Sequence, residues 1–173
     1  NIDTIEIAIN NETLDEQKLP HWKYTPAGID FDTSIIELIE DAEGAKRTFK
    51  LNAKPKSNVI VTIKSDHNDS LSISSSSLTF TSSNWNTDQT VIFTAIDDHI
   101  ANGDLDFSIT INSSSGDSRF NDIKNTVQVK IKDNDDVGII YDDSSIILNE
   151  GQSAVRTFKL KSQPLADVVL NIS

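Results

Sequence analysis

The stretch Val127-Gln128-Val129-Lys130-Ile131-Lys132 alternates apolar and polar side chains over its whole length. Successive side chains of a β-strand point to opposite faces, so this spacing places the apolar residues on one face and the polar residues on the other. The same alternation occurs in residues 59–64 and 91–96, and clusters of Asn, Asp, Ser and Gly separate such segments. Helical periodicity is almost absent. The pattern therefore predicts an all-β fold, an antiparallel β-sandwich.

An internal repeat divides the chain. The stretch Arg47-Thr48-Phe49-Lys50-Leu51 recurs as Arg156-Thr157-Phe158-Lys159-Leu160, and residues 4–9 share the pattern of residues 126–131. At the offset of the first match, Pro55, Val59 and Ile63 correspond to Pro164, Val168 and Ile172. We therefore expect a tandem-repeat fragment: the last strand of a preceding repeat plus a linker in 1–27, a complete sandwich in 28–136, and the first strands of a following repeat in 137–173.

The complete repeat has the length of an immunoglobulin-like sandwich. Its seven predicted strands lie near residues 29–39, 46–52, 58–65, 71–80, 89–96, 105–112 and 125–132. The serine run from Ser74 to Ser77 is the alternative to a continuous fourth strand, because it is equally compatible with a loop. The chain starts at Asn1 and has no apolar run of about 18 residues, the length that spans a membrane. We interpret it as an internal part of a longer protein, with no direct membrane insertion.

Charge and composition exclude several classes of function. The 173 residues include no Cys, so disulfides, thiolate metal sites and cysteine nucleophiles are absent. The 27 Asp and Glu outnumber the 15 Lys and Arg, and the net charge of −12 repels nucleic acid. The sequence contains no Gly-x-Ser-x-Gly, phosphate-binding loop or His-Glu-x-x-His pattern. We expect a protein that is not an enzyme.

Acidic residues concentrate in the loops that an up-and-down strand order brings to one end of the sandwich. So many carboxylates in one place repel one another, and a bound cation relieves that repulsion. Carboxylate, amide and carbonyl oxygens in loops suit Ca²⁺ better than Mg²⁺, which demands a strict octahedron. The alternative is a solvated acidic rim. The acidic residues of this end are Glu40, Asp41, Glu43, Asp66, Asp69, Asp97, Asp98, Asp104, Asp133, Asp135 and Asp136.

Two further hypotheses concern partners. Trp85, flanked by Asn84 and Asn86, either stacks on a sugar ring or caps the core, and the core role is the stronger interpretation. Strands without partners at both ends of the chain favour head-to-tail strand donation into an assembly. Arbitrary limits within a long array explain the same ends, and this is the preferred interpretation.

These residues together resemble a Calx-beta domain, a family found in sodium–calcium exchangers and in long bacterial surface and adhesin-like proteins. The resemblance covers residues 28–136 and begins again near residue 138. The matching elements are Glu43-Gly44 and Glu150-Gly151, Ser77-Leu78-Thr79-Phe80 leading to Asn84-Trp85-Asn86, Asp97-Asp98 followed by Gly103-Asp104, and Asp133-Asn134-Asp135-Asp136.

The resemblance implies a calcium site at the acidic end. Glu40 aligns with Glu150 by offset whereas Glu43 shares the following glycine, so either can be the glutamate ligand. Asn102 and Leu105 stand where some members have acidic ligands, and we expect one to three Ca²⁺ ions. The implied metal ligands are Glu40, Glu43, Asp66, Asp97, Asp98, Asp104, Asp133, Asp135 and Asp136, with Asp104 either a ligand or a structural loop residue.

The functional prediction is a calcium-binding structural or spacer repeat of a large secreted or cell-surface protein of adhesion type. Calcium would stiffen the acidic end and the linker to the next repeat. The expected partners are neighbouring repeats of the same chain, and further candidates are other copies, joined by strand pairing into a filament or surface layer, or a surface glycan or protein.

Overall fold

The computed structural model describes residues 26–172. The predicted strand at residues 4–9, most of the linker before residue 28, and Ser173 lie outside the described residues. The described part forms eleven strands and includes no helix long and apolar enough to cross a membrane. The strands are β1 (Ile29–Asp30), β2 (Ile36–Ile39), β3 (Ala45–Leu51), β4 (Val59–Lys64), β5 (Leu71–Ile73), β6 (Ser77–Phe80), β7 (Gln89–Ala95), β8 (Leu105–Ser115), β9 (Lys124–Lys132), β10 (Ile139–Tyr141) and β11 (Phe158–Leu160).

The first nine strands build two sheets, in the orders β1-β3-β7-β5 and β2-β9-β8-β4-β6. Every pairing in them is antiparallel except that of β2 with β9, which is parallel. Phe49 and Phe93 from the first sheet and Ile109 and Val129 from the second belong to one buried core. The predicted all-β, immunoglobulin-like sandwich is therefore confirmed.

The alternation that predicted the strands also determines which side chains are buried. In β9, Val127, Val129 and Ile131 are buried, while Gln128 and Lys130 are exposed. Burying each such aliphatic side chain stabilises the fold by roughly 1.5–3 kcal/mol relative to leaving it in water. The apolar face of each strand thus drives the packing of the two sheets.

Two predicted strands are divided in the structure. The prediction of 29–39 as a single strand was wrong, and in 71–80 the alternative of a loop at the serine run is correct for residues 74–76. The segment 29–39 forms β1 in one sheet and β2 in the other, and the segment 71–80 forms β5 and β6 in the same manner. The serine run is the crossing point: Ser74 N donates to Ile92 O at 2.9 Å, and Ile63 N donates to Ser76 O at 2.9 Å. Each crossing backbone thereby satisfies its polar groups on both sheets.

Trp85 lies beside the core rather than on an open face. It is partly buried and packs against the core residues, and its carbonyl accepts a hydrogen bond from Leu51 N at 2.8 Å. The Asn84 amide is engaged in the turn, accepting from Thr81 N at 2.5 Å and donating to Thr79 O at 3.3 Å. These contacts support the core role of Trp85 over sugar stacking.

The repeat extends further in the structure than in the sequence comparison. β10 pairs with β11 so that Ile139 faces Leu160, just as β1 pairs with β3 so that Ile29 faces Leu51. Lys161 N donates to Gly138 O, as Asn52 N donates to Gly28 O. Residues 137–172 therefore begin with the same local arrangement as residues 28–52.

A repeated anchor of Asp, Ser and Arg accompanies this arrangement. The Asp32 carboxylate accepts from Ser34 N and Oγ, and Arg47 donates to Ile35 O at 3.1 Å. In the second copy the Asp142 carboxylate accepts from Ser144 N and Oγ, and Arg156 bonds to Asp142 and to the Ser144 carbonyl. In each unit, the anchor connects the segment that follows the first strand to the arginine.

Gly44 is required by the close approach of the β2–β3 turn to β7. A Cβ atom at this position would lie 2.5 Å from Thr94 Oγ1 and 2.6 Å from Phe93 O. The backbone carbonyl cannot move aside without disturbing the ladder between β3 and β7. The corresponding Gly151 has open space around it, because residues 137–172 include no counterpart of β7.

We predict that Gly44→Ala destabilises the sandwich by about 1–3 kcal/mol, the usual cost of overpacking a filled site. Urea unfolding measures the change. Gly28→Ala is the matched control, since its Cβ would meet only Asn52 Nδ2 at 3.6 Å and Pro26 O at 4.0 Å. Equal stability of Gly44→Ala and the wild type would contradict the close-approach argument.

Candidate metal centre

The candidate centre lies where β2 and β9 end side by side. The parallel register pairs Ile39 with Lys132, and Glu40 N extends it by donating to Lys132 O at 3.2 Å. Glu40 follows Ile36 and Leu38 at the inward positions of the strand, so its side chain is directed inward and is only 6% exposed. The register therefore sets a buried carboxylate beside Asp133.

Asp133 fastens the β7–β8 loop to the segment that leaves β9. Its Oδ2 accepts from Asn102 N at 2.8 Å and from Gly103 N at 2.6 Å, and its own N donates to Asp104 Oδ1 at 3.0 Å. The hydrogen bonds from Gly103 N and Asp135 N lower the pKa of the Asp133 carboxyl below its ordinary value. Asp133 is thus a fixed negative charge at neutral pH.

Glu40, Asp133 and Asp135 each offer one carboxylate oxygen, and these oxygens lie within 4.8 Å of one another. Glu40 Oε2 and Asp135 Oδ2 are both buried, and neither accepts a hydrogen bond from any described residue. Burial raises the pKa of Glu40, and the carboxylates of Asp133, Asp98 and Asp97 raise it further. Two buried acceptors without donors beside a fixed anion are the orphaned atoms that a cation would satisfy.

A second group shares Asp135. One ligand atom each from Asp97, His99 and Asp135 lies within 4.8 Å of the others. His99 Nδ1 and Asp97 Oδ2 are 2.5 Å apart. The pKa of Asp135 is raised, first by burial and then by the Asp97 and Asp133 carboxylates. Asp135 therefore belongs to both groups of potential ligands.

At the opposite end of the sandwich, a buried carboxylate is satisfied by protein groups alone. Asp117 is buried, yet its Oδ2 accepts from Lys56 N at 2.8 Å and from the Arg119 guanidinium at 2.7 Å. Chiefly because of Arg119, the pKa of Asp117 lies far below its usual range. No basic side chain of the described chain serves Glu40 in this way. The contrast indicates that the acidic end lacks a cationic partner from these residues.

The other predicted ligands lie around these groups. Asp98 Oδ1 accepts from Ile100 N at 2.8 Å and its Oδ2 from Asn102 Nδ2 at 2.8 Å, while Asp104 bonds to Asp133 N. Glu43 is exposed and pairs with Lys46 at 3.2 Å, outside both groups. Asp66 in the β4–β5 loop and Asp136 in the linker are also exposed and outside both groups. A ligand role for these five residues stays a prediction.

His99, which was not among the ligands predicted from the sequence, lies among the potential ligands of the second group. Its position depends on a left-handed backbone, with φ of 60°, and on the linker that brings Asp135 to the loop. Neither can be inferred from residue spacing. The burial of Glu40 does have a sequence signal, because it continues the Ile36 and Leu38 alternation by one step.

No protein-family model matches the chain, and no curated protein matches it. Several solved structures do. The periplasmic chaperone SfaE matches 62% of this chain and 58% of its own, with 9% identity and a TM-score of 0.49. The apo form of the Calx CBD1 domain matches 64% of this chain and 100% of its own, with 16% identity and a TM-score of 0.45.

PapD-like domain 7 of human CEP192 matches 73% of this chain and 97% of its own, with 12% identity and a TM-score of 0.45. The present chain spans less than two thirds of the SfaE chaperone chain. At these identities and TM-scores the similarities assign no family and no activity to this chain. The Calx-beta resemblance stays a prediction that rests on the sequence elements quoted above.

We predict that Glu40→Gln stabilises the metal-free protein at pH 7, because a carboxylate with a raised pKa costs stability once it must ionise in the folded state. The wild type has the full contribution of protonated Glu40 below the unfolded pKa of about 4.3 and loses it as the pH rises through the folded pKa. In EDTA, the Tm of Glu40→Gln should therefore exceed that of the wild type by an amount that increases from pH 4 to pH 7. A Tm difference that does not change with pH would contradict the buried position of the Glu40 carboxylate.

Proposed function

We propose that this chain is a calcium-binding structural repeat of a large extracellular or cell-surface protein, in which Ca²⁺ stiffens the acidic end and the linker to the next unit. The observation that carries the proposal is the pair of buried oxygens, Glu40 Oε2 and Asp135 Oδ2, that accept no hydrogen bond within the described chain. A divalent cation supplies the positive charge that Arg119 supplies to Asp117 at the other end.

The chemistry of the donors favours Ca²⁺ for the first group. Glu40, Asp133 and Asp135 offer only carboxylate oxygens, which are hard ligands. They come from a turn and a linker rather than from a rigid cage, and Ca²⁺ tolerates six to eight ligands in irregular geometry. Neighbouring Asp97 and Asp98 add negative charge around the same position. Of the two alternatives open in the sequence, Glu40 rather than Glu43 is the proposed glutamate ligand.

The linker is part of the centre, which supports a mechanical role. Residues 133–138 join β9 to β10, and within them Asn134 Nδ2 donates to Glu40 O at 3.0 Å and Asp135 N donates to Asp133 Oδ1 at 2.7 Å. His99 O also accepts from Gln163 N at 2.7 Å, which connects the β7–β8 loop to the segment after β11. An ion held by Glu40 and Asp135 would fix the direction in which the chain leaves the sandwich.

An extracellular setting is part of the proposal. Calcium-binding modules outside cells have Kd values on the order of 10⁻⁴–10⁻³ M, which match the millimolar calcium found there. An ion that binds only the folded state adds RT ln(1 + [Ca]/Kd) to stability. The proposed role of this repeat is therefore structural rather than enzymatic. Its proposed partners are neighbouring repeats of the same chain.

The test is thermal unfolding of the full chain in EDTA and then in 10 mM calcium. With the Kd values above, calcium should add about 1.4–2.7 kcal/mol, or roughly 4–10 °C in Tm. Glu40→Gln and Asp135→Asn should each abolish most of the rise, because each removes a charge from the proposed site.

Asp88→Asn is the matched control, since Asp88 is exposed and pairs with Lys50 at 3.9 Å, away from the acidic end. It should retain the full calcium response. Glu43→Gln tests the other glutamate and should also retain the response. The absence of any shift in 10 mM calcium, or an equal shift with 10 mM magnesium, would refute the proposed calcium site.

Self-association is a second candidate function, and one observation favours it. Phe158 and Val168 are 43% and 54% exposed, whereas their repeat counterparts Phe49 and Val59 are 1% and 0% exposed. In the sandwich these counterparts are covered by strands that residues 137–172 do not contain. Strands donated by another copy would cover them and form head-to-tail assemblies.

Sedimentation velocity of the full chain over a hundredfold range of concentration tests this candidate. Association should rise with concentration and fall in a variant carrying Leu165→Asp and Val168→Asp, because charge on this face opposes burial. Asp106→Asn, on the exposed face of β8, is the control. A monomer at every concentration would exclude self-association.

A further inference from the structure

The β7–β8 loop places an imidazole among the carboxylates of the acidic end. Asp97 is largely buried, with a side chain 10% exposed, whereas the His99 side chain is 74% exposed. His99 Nδ1 faces Asp97 Oδ2 at 2.5 Å, and an Asp135 oxygen completes the group. One nitrogen and two oxygens are thus directed at one another from two separate segments of the chain.

The backbone of His99 is held on both sides. Its φ of 60° lies in the left-handed region, its N donates to Asp97 Oδ1 at 3.1 Å, and its O accepts from Gln163 N. A non-glycine residue in this conformation costs free energy that the surrounding contacts must offset. The loop therefore holds the backbone from which the imidazole projects, although most of the ring is exposed to solvent.

A buried acceptor without a donor points to a ligand at this place. Asp135 Oδ2 is buried and accepts no hydrogen bond within residues 26–172. Glu40, more than nine-tenths buried, belongs to the adjoining group that shares Asp135, and its Oε2 also accepts no hydrogen bond from a described residue. The contact between Asp97 and His99 satisfies neither atom.

We propose that Asp97, His99 and Asp135 bind a borderline divalent transition-metal ion, with Zn²⁺ as the representative, beside the oxygen-only position formed by Glu40, Asp133 and Asp135. Zn²⁺ readily accepts one imidazole nitrogen and two carboxylate oxygens and leaves a fourth position for water. Calcium prefers oxygen ligands alone, so the imidazole separates the two positions chemically.

The required rearrangement is small. Bonds of about 2.0–2.1 Å in a tetrahedral zinc site separate the ligand atoms by roughly 3.3 Å. The His99–Asp97 contact must lengthen by less than about 1 Å, and the other separations already lie within 4.8 Å. The exposed imidazole can make this movement by rotating its side chain, while the largely buried Asp97 stays in place.

This inference extends the proposed function, since it assigns a second metal to the same end of the sandwich, yet it does not require that calcium bind. The test is isothermal titration of the full, metal-free chain with zinc chloride. His99→Asn removes the imidazole and keeps a residue that tolerates the left-handed backbone. The wild type should bind zinc at least tenfold more tightly than His99→Asn.

His67→Asn is the matched control, because His67 lies in another loop and stacks on Phe107 at 4.2 Å. It should bind zinc as the wild type does. Equal zinc affinity in His99→Asn and the wild type would overturn the inference. If His99→Asn fails to fold, the imidazole ¹⁵N resonances of the wild type decide: a zinc-dependent shift at the Nδ1 of His99 is expected, and its absence overturns the inference.

Glu40→Gln separates this inference from the calcium proposal. It should lose the calcium-dependent rise in Tm and keep the zinc affinity of the wild type to within about threefold. A wild type without a calcium response but with His99-dependent zinc binding would refute the proposed calcium function alone. A calcium response with no His99-dependent zinc binding would refute the zinc site alone.

Discussion

The parallel pairing of β2 with β9 is the constraint on which the acidic end depends. It aligns Ile39 with Lys132, so the residues that follow, Glu40 and Asp133, must emerge side by side. The inward alternation of β2 continues through Glu40 and places its carboxylate at a position that would ordinarily hold an aliphatic residue. A shift of one residue in this register would turn Glu40 outward to water and dissolve the cluster.

The acidic end contains two kinds of carboxylate with opposite requirements. Asp133 is supplied with backbone donors and stays ionised, whereas Glu40 and Asp135 are desolvated and face other acids. Asp117 shows that this chain can satisfy a buried acid with an arginine. Among residues 26–172, Glu40 has no such partner, and in the proposed function a bound cation takes that place.

The sequence contains enough information for the sandwich and for the location of the acids. The alternation of apolar and polar residues located the strands, because burial of one face requires that alternation. The internal repeat identified corresponding strands from the sequence alone. The division of residues 29–39 and 71–80 between two sheets could not be predicted, because it is decided by how the sheets close around the core rather than by local pattern. The position of Glu40 beside Asp133 likewise depends on the register of β2 with β9.

The internal repeat is a second case in which the sequence predicts only part of the structure. Sequence comparison identified Arg47 and Arg156 as equivalents, but the matching Asp32 and Asp142 emerged only from their hydrogen bonds to Ser34 and Ser144. An anchor of one Asp, one Ser and one Arg cannot be recognised in a sequence that is rich in Asp and Ser. His99 was not predicted as a ligand for a related reason, since Asp135 is remote from it in sequence and is brought to it by the linker.

The pairing of β2 with β9 also has a consequence for tension along the chain. The polypeptide enters the pair at Ile36 and leaves it at Lys132, and both strands run in the same direction. Pulling the two ends apart therefore loads the ladder bonds lengthwise and together, whereas a hairpin pulled at its open end loses them one by one. A sandwich connected in this way resists extension because its ladder bonds must break together, and this ladder ends beside the carboxylates of Glu40 and Asp133.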